Sequence, residues 1–202
     1  MEKTILARGA EAVITKSKGT IIKDRIEKTY RHKDLDKKIR KLRTRSETKI
    51  LDKLSDVINV PKIISSDENK AEIKMEYING KKLAEILEKT EYKKVAEKIG
   101  KTLAKMHNED IIHGDLTTSN ILLKEKKVYF IDFGLSFHSS RIEDKAVDIH
   151  LIKQALEAKH PAIYEITYQE LIKSYKKHSK DAQKTISQLE KVEKRGRYKA
   201  QY

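Results

Sequence analysis

The chain has 202 residues, of which 38% are hydrophobic and 38% are charged, so it can bury a core beneath a strongly ionic surface. It contains no cysteine, which excludes disulfides and thiolate metal sites. Its start lacks the apolar stretch of a signal peptide, and no apolar run approaches the roughly 20 residues of a membrane span. We therefore expect a cytoplasmic protein with no membrane contact.

The formal net charge of +14 is the strongest compositional feature. Such an excess of positive charge either reflects a proteome that is generally rich in lysine or indicates a surface that binds polyanions such as RNA. Composition alone does not separate these two explanations.

Short strands are the first predicted elements. Residues 6–14 predict two strands before a turn at residues 16–19, and the apolar run that follows predicts a third strand ending at Lys23. Three small residues lie in the first of these segments: Gly9, Ala10 and Ala12. Small residues let backbone N–H groups approach a phosphate, although alanine reaches left-handed conformations less readily than glycine. We expect this loop to be stiff.

One long helix is predicted over residues 33–55. Its apolar side chains recur at close to the helical period, at Leu35, Ile39, Leu42, Ile50, Leu51 and Leu54. Residues 62–64 and 71–75 then predict a hairpin. Residues 76–80 break the strand pattern before a helix at residues 83–87, so they form either a hinge between lobes or an ordinary strand-to-helix loop.

A further helix is predicted over residues 95–107, where apolar side chains again have helical spacing. We interpret His107, at its end, as a buried or capping residue rather than a catalytic base. His113 is likewise interpreted as a structural residue that anchors the loop after this helix.

The densest chemical information lies between residues 113 and 134. The string His-Gly-Asp-Leu-Thr-Thr-Ser-Asn at residues 113–120 has little helical pattern, so Asp115 and Asn120 can turn toward one point. Residues 121–124 and 128–131 predict a hairpin. That hairpin ends in Asp-Phe-Gly at residues 132–134, and the glycine lets the backbone turn sharply away. Asp132 is thereby delivered beside Asn120.

These three polar side chains are suited to phosphoryl transfer. The Asp132 carboxylate and the Asn120 amide oxygen make a hard-oxygen site for Mg²⁺, which normally keeps waters and phosphate oxygens as its other ligands. Asp115 need not be a ligand, and can accept or orient the proton of an attacking hydroxyl or water. Because catalysis of phosphoryl transfer is mostly positioning and charge neutralisation, the set indicates attack on the γ-phosphate of ATP.

Little chain remains after this region. A helix is predicted near residues 143–148, which leaves little room for a long activation segment. Residues 168–192 have helical spacing, and a basic string follows at residues 194–199. This tail is either a solvated terminus or a contact for RNA or a partner.

The strings at residues 113–120 and 132–134, with a predicted hairpin between them, resemble the catalytic loop and metal motif of the protein-kinase superfamily. This resemblance implies an α+β, bilobal kinase-like fold. Its small β-rich N-lobe would span residues 1–78, and its truncated helical C-lobe residues 79–202. The resemblance also implies that Lys23 touches the α- and β-phosphates.

The implied site has catalytic, metal and nucleotide-binding parts. Its catalytic residues are Asp115, Lys23 and Glu47, and its metal ligands are Asn120 and Asp132. The nucleotide-binding residues come from the first strands and the hinge: Leu6, Gly9, Ala10, Ala12, Val13, Lys23, Met75, Glu76 and Ile78. Glu47 lies one turn before a buried pair of the long helix, from which it can reach Lys23. Asp148 is expected to brace the catalytic loop.

Within the superfamily, the chain is similar to the small PRPK-type kinases of the KEOPS complex, which serves threonylcarbamoyl modification of adenosine in tRNA. The string Arg-Thr-Arg-Ser-Glu at residues 43–47, the short segment after residues 132–134 and the basic tail carry this similarity. Thr117 and Gly114 stand where protein kinases usually carry a lysine and an arginine. Activation-loop phosphorylation is therefore not expected.

The resemblance implies Mg²⁺-dependent ATP hydrolysis or serine/threonine phosphorylation. The implied partners are the threonylcarbamoyl-transferase subunit, other KEOPS subunits, and tRNA through the basic surface and tail. Two alternatives stay open. Small-molecule kinases of the aminoglycoside or choline type also use His-Gly-Asp, although those chains are longer. A non-catalytic RNA-binding scaffold would use the charge alone, and the complete set of predicted catalytic residues argues against it.

Overall fold

A five-stranded antiparallel sheet forms the N-terminal part of the computed structural model, which describes residues 4–9 and 11–199, with side chains up to residue 195. Its strands are β1 (Thr4–Arg8), β2 (Ala12–Ser17), β3 (Thr20–Arg25), β4 (Ile63–Asp67) and β5 (Glu72–Glu76), in the order β1-β2-β3-β5-β4. β3 runs two residues beyond the predicted end at Lys23, because Arg25 still pairs with Ala12 of β2.

α1 (Lys33–Leu54) packs against β4 and β5 of this sheet and matches the predicted helix over residues 33–55. The C-terminal half buries apolar side chains, as the spacing predicts. In the N-terminal half the prediction of an apolar face is wrong, because Leu35 and Leu42 are about half exposed while Asp36 and Thr44 are buried. Asp36 is satisfied there by Arg40, whose Nε donates to its Oδ2 over 2.6 Å.

Five further α-helices follow the sheet within the described residues. They are α2 (Leu83–Ile86), α3 (Tyr92–Asn108), α4 (Ile142–Lys159), α5 (Tyr164–His178) and α6 (Ala182–Lys199). The predicted helical stretch over residues 168–192 consists of parts of two helices, because the helical conformation is interrupted after His178 and resumes at Ala182. Asn108 holds this break by donating to the carbonyl of His178 and accepting the N–H of Lys180.

Short strands frame the loop that carries the predicted catalytic residues. β8 (Ile121–Lys124) and β9 (Lys127–Phe130) form the predicted hairpin, and β6 (Lys81–Lys82) pairs with β8. β7 (Ile111–Ile112) precedes the loop and pairs with β10 (Phe137–His138), which follows the Asp-Phe-Gly string. The pairing of β7 with β10 closes both ends of this region onto one another.

One apolar core runs through the molecule and contains residues of α1, β5, α3, α4 and α5. The lobe boundary at residue 78 therefore stays a prediction. Within the described ranges, no helix is long and apolar enough to cross a membrane.

Gly100→Ala is expected to lower the free energy of unfolding by about 1–3 kcal/mol, because α3 and α5 meet at this residue. An added Cβ would lie 2.2 Å from the carbonyl oxygen of Leu171 and 3.0 Å from the amide nitrogen of Tyr175. Urea unfolding measures the change. Gly9→Ala is the control, since its Cβ would lie 3.7 Å from the Ala12 carbonyl oxygen; equal losses in both variants would contradict the prediction.

Candidate active site

A cleft of about 350 Å³ lies between the five-stranded sheet and the β8–β9 hairpin, and we call it the central cleft. Apolar side chains from both sides line most of it: Leu6, Ile14, Ile21, Met75, Ile78, Leu122 and Ile131. Polar side chains gather at one place in its wall: Lys23, Glu47, Ser119, Asn120 and Asp132. The cleft thus combines an apolar slot with an ionic cluster.

The ionic cluster centres on Lys23. Its Nζ lies 2.7 Å from Oε1 of Glu47 and 2.7 Å from Oδ1 of Asp132. Lys23 and Glu47 are almost fully buried. The sequence-based expectation that Glu47 reaches Lys23 from the long helix is confirmed.

Both ends of the Lys23–Asp132 pair are charged. Burial acts to lower the pKa of Lys23, but the carboxylates of Glu47 and Asp132 outweigh it and hold the pKa above its ordinary value. Burial acts to raise the pKa of Asp132, and the nearby Lys23 ammonium outweighs it, so that this pKa lies below its ordinary value. The cluster therefore presents a full ammonium and a full carboxylate to the cleft.

Arg25 completes the cluster and was missed by the sequence reasoning. It follows Lys23 by two residues on β3, so both side chains lie on one face of the sheet. Its Nη2 donates to Oε2 of Glu47, while the buried Nε has no partner among the described residues. The two-residue strand period is the feature that could have found it.

Asn120 links the two other predicted catalytic residues. Its Nδ2 donates to the backbone carbonyl of Asp115 over 2.8 Å and to the Asp115 carboxylate over 3.0 Å. The backbone carbonyl of Asn120 accepts the backbone N–H of Ile131, the residue before Asp132. Since the amide nitrogen is used in this way, the Oδ1 atom is left as an acceptor, and no donor in the described part of the chain reaches it.

Asp148 holds the loop from α4, as expected. This buried carboxylate accepts the backbone N–H of His113 over 2.6 Å and that of Gly114 over 2.8 Å, and its Oδ2 also lies 3.3 Å from Nε2 of His107. Both histidines are buried, which confirms their structural interpretation. Gly114 has φ +77°, and a Cβ there would lie 2.5 Å from the Leu135 carbonyl oxygen. No arginine fits at this position.

His113 is a neutral imidazole with a fixed tautomer. Its Nε2 lies 3.1 Å from the carbonyl oxygen of Ile131 and must donate, while its Nδ1 accepts the N–H of Asp115 over 3.3 Å. Burial lowers the pKa of His113, and the attraction of Asp148 only partly offsets this. Through these two hydrogen bonds, the neutral ring links the loop that carries Asp115 to the segment before Asp132.

Stability is expected to fall as the pH drops below about 6.5, the ordinary value for a histidine. The unfolded chain takes up a proton on His113 in that range, whereas the lowered pKa lets the folded chain take it up only at lower pH, so the unfolded state binds more protons. His113→Gln keeps one donor and one acceptor, and its loss of unfolding free energy between pH 7.5 and pH 5 should be smaller. Urea unfolding of both proteins at both pH values measures this loss. An identical pH dependence of the unfolding free energy in wild type and variant would contradict the role of His113.

Part of the predicted nucleotide site is placed differently. Val13 does not line the central cleft, because its neighbour Ile14 occupies the cleft side of β2 and adjacent strand residues point to opposite faces. This corrects the prediction for Val13. Gly9 and Ala12 close a turn through a 3.0 Å backbone hydrogen bond without lining the cleft, and Ala10 lies outside the described residues.

The predicted hinge residues Met75, Glu76 and Ile78 do line the cleft. The carbonyl of Ile78 accepts the N–H of Gly80 over 2.9 Å. The N–H of Ile78 has no acceptor within residues 4–9 and 11–199, and this residue is 4% exposed. A backbone donor is therefore left for a ligand beside the apolar slot.

The RIO domain family matches residues 13–156 of the chain. The chain belongs to the RIO-domain family. This family comprises atypical serine/threonine kinases, so the expected class of enzyme and the resemblance to the kinase superfamily are confirmed.

Two named relatives match nearly all of this RIO-domain chain. It is 40% identical to the KEOPS complex subunit Bud32 of Pyrococcus abyssi, over 98% of the chain and 92% of that protein. It is also 40% identical to a Methanobrevibacter smithii protein named "Probable bifunctional tRNA threonylcarbamoyladenosine biosynthesis protein", over 96% of the chain. The match spans 36% of that longer protein.

Solved structures share the fold. The Rio2 kinase of Chaetomium thermophilum, in an ADP/Mg²⁺-phosphoaspartate complex, covers 97% of the RIO-domain chain and matches over 72% of its own, with a TM-score of 0.65 and 14% identity. WaaP in complex with acyl carrier protein covers 96% of the chain and matches over 88% of its own, with a TM-score of 0.63 and 11% identity. The expected α+β kinase-like fold is thereby confirmed.

Proposed function

We propose that this chain binds Mg²⁺ and ATP in the central cleft and transfers or hydrolyses the γ-phosphate, as a subunit of a KEOPS assembly that modifies tRNA. The observation that carries the proposal is the position of Lys23. A buried ammonium that contacts both Glu47 and Asp132, beside Asn120 and next to an apolar slot, supports recognition of a nucleotide with its phosphates.

The residues present fit a magnesium ion. Asn120 and Asp132 would hold it through an amide oxygen and a carboxylate, both hard oxygen donors. The described part of the chain contains no group of three or more histidine, aspartate or glutamate side chains that could hold a metal alone, so water and phosphate oxygens would supply the other ligands. When bound, the ion would neutralise charge on the phosphates.

The chain's own residues have separate roles in this proposal. The slot formed by Leu6, Met75 and Ile78 takes the adenine, and the N–H of Ile78 and the backbone of Glu76 hydrogen-bond to its edge. Lys23 binds the α- and β-phosphates, and Glu47 fixes the ammonium for this purpose. Gly9 and Ala12 act only by closing the turn between β1 and β2.

Asp115 is the proposed proton acceptor. Asn120 orients its carboxylate from one side, and among the described residues no lysine or arginine forms an ion pair with it. With Thr117 in place of the usual lysine, the carboxylate is free to accept a proton from a serine or threonine hydroxyl or from water.

The names of the relatives support the proposed partners. One relative is named as a KEOPS subunit, and another is a bifunctional protein of which this chain matches about a third. We infer that this chain works beside a threonylcarbamoyl-transferase subunit and other KEOPS subunits, and contacts tRNA through its basic surface and tail. The side chains of residues 196–199 in that tail lie outside the described residues.

Incubation with γ-labelled ATP tests the proposal. We expect Mg²⁺-dependent release of labelled phosphate, or label on protein, with the chain alone or with a purified transferase subunit. Asp132→Asn should remove both, while transfer of label to an aminoglycoside or choline would favour the small-molecule alternative. Absence of both turnover and ATP-induced thermal stabilisation, with and without the partner, would refute it.

A further inference from the structure

A second hollow, of about 370 Å³, lies where the loop after α1, the exposed face of α3 and the β8–β9 turn meet. It shares no lining residue with the central cleft. Five of its lining residues are lysines, and we call the site the lysine hollow: Lys98, Lys101, Lys105, Lys126 and Lys127. Nothing in the proposed chemistry uses this site.

The lysines of the hollow outnumber the acidic side chains near them. All five are exposed, and none forms an ion pair with an aspartate or glutamate in the described ranges. Asp56 is the one acidic residue that lines the hollow among those described. Glu91 lies close enough to Lys98 and Lys126 for their charges to lower its pKa, but its ion pair is with Lys94. Five exposed lysines around one depression, against the two nearby carboxylates of Asp56 and Glu91, create a positive potential that attracts a polyanion.

The walls of the hollow are held together before any ligand binds. Lys98 donates to the carbonyl of Lys126, which joins α3 to the β8–β9 turn. Asn59 donates to the carbonyl of Val128 over 3.1 Å, and its own carbonyl accepts the N–H of Phe130, which joins the loop after α1 to β9. A preformed surface of this kind orders few groups on binding and so loses less affinity.

We propose that the lysine hollow binds the phosphate backbone of RNA. Lys98, Lys101 and Lys105 follow one face of α3 and span about 10 Å at the helical rise, a length suited to several phosphates of a strand rather than to a single ion. No aromatic side chain lines the hollow among the described residues, so contacts position the backbone without reading bases. The proposal rests on the proposed function only in taking RNA as the polyanion.

Two variants with the same change in charge test the assignment. The first, Lys101→Gln with Lys105→Gln and Lys127→Gln, spares the hydrogen bond of Lys98. The control, Lys33→Gln with Lys37→Gln and Lys38→Gln, removes three exposed lysines of α1 that likewise lack acidic partners in the described part. Fluorescence anisotropy with labelled tRNA over a KCl series gives affinity and salt slope.

The hollow variant should bind about 10–100-fold more weakly at low salt, with a slope of log K against log salt reduced by about 2–3, since each phosphate contact contributes about 0.7–0.9. The control should keep most of the wild-type slope. Equal effects in both variants, or no tRNA binding by the wild type, would overturn the proposal. Equal competition by polyglutamate and RNA at matched charge would do the same.

ATP turnover without RNA separates this proposal from the proposed function. Neither set of lysines lines the central cleft, so both variants should hydrolyse ATP at the wild-type rate. If the wild type has no turnover but the hollow variant loses RNA binding, the ATP chemistry fails and the lysine hollow stands.

Discussion

Asp115→Asn is expected to lower ATP turnover by about 10²–10⁴-fold and to leave nucleotide affinity nearly unchanged. The amide has the shape of the carboxylate but cannot accept the proton of an attacking hydroxyl or water. Asn120 already donates to the backbone carbonyl of Asp115 over 2.8 Å, so the loop geometry survives the substitution. Steady-state turnover, with nucleotide affinity from a separate binding titration, measures the two effects.

Asp52→Asn is the matched control for this prediction. Asp52 is exposed on α1 and far along the chain from the catalytic loop. The substitution therefore removes the same formal charge without changing the proposed proton acceptor. Wild-type turnover in the control and a large loss in Asp115→Asn would support the assigned role. Turnover that survives in Asp115→Asn would remove Asp115 from the mechanism.

Local patterns in the sequence predicted the parts of the fold whose interactions are also local. The polar loop at residues 113–120 and the hairpin after it are short, and their turn residues and apolar runs are adjacent in the chain. β6, β7 and β10 were not predicted because each has two residues. Such short strands exist only through partners far away in sequence, which a local pattern does not contain.

The site shows the same limit. Lys23 and Glu47 are 24 residues apart. Their contact was predicted from the resemblance to kinases and not from their spacing in the sequence. Ile14 lines the central cleft in place of Val13 because the register of β2 against β3 sets which face points inward. The N-terminal half of α1 departs from its predicted apolar face, since an aspartate with an arginine partner is buried there.

The Arg25–Glu47 contact gives this chain a fixed means of holding α1 against the sheet. Glu47 receives Lys23 on one carboxylate oxygen and Arg25 on the other. Gly114, where protein kinases usually place an arginine for a phosphorylated loop, has no room for a side chain. Two cations within β3 therefore hold the glutamate of α1 without a modified loop.

Glu47→Gln is expected to lower the free energy of unfolding by about 3–5 kcal/mol, because breaking a buried ion pair leaves the remaining charge uncompensated. Arg25 is 4% exposed and has no other acidic partner among the described residues. Lys23 keeps Asp132, so the loss comes mainly from Arg25. Urea unfolding measures the change, and ATP turnover should fall in the same variant because Lys23 loses its support.

The double variant Arg25→Met with Glu47→Gln separates charge from shape. Removing the stranded guanidinium should restore part of the stability, with a coupling of about 0.5–3 kcal/mol in the double-mutant cycle. Turnover should stay low, since Glu47 is still absent. Glu68→Gln is the control, because Glu68 pairs with Arg45 on the exposed side of α1 and such surface pairs contribute about 0–1 kcal/mol. Additive losses for Arg25 and Glu47 would show that the two side chains do not act together.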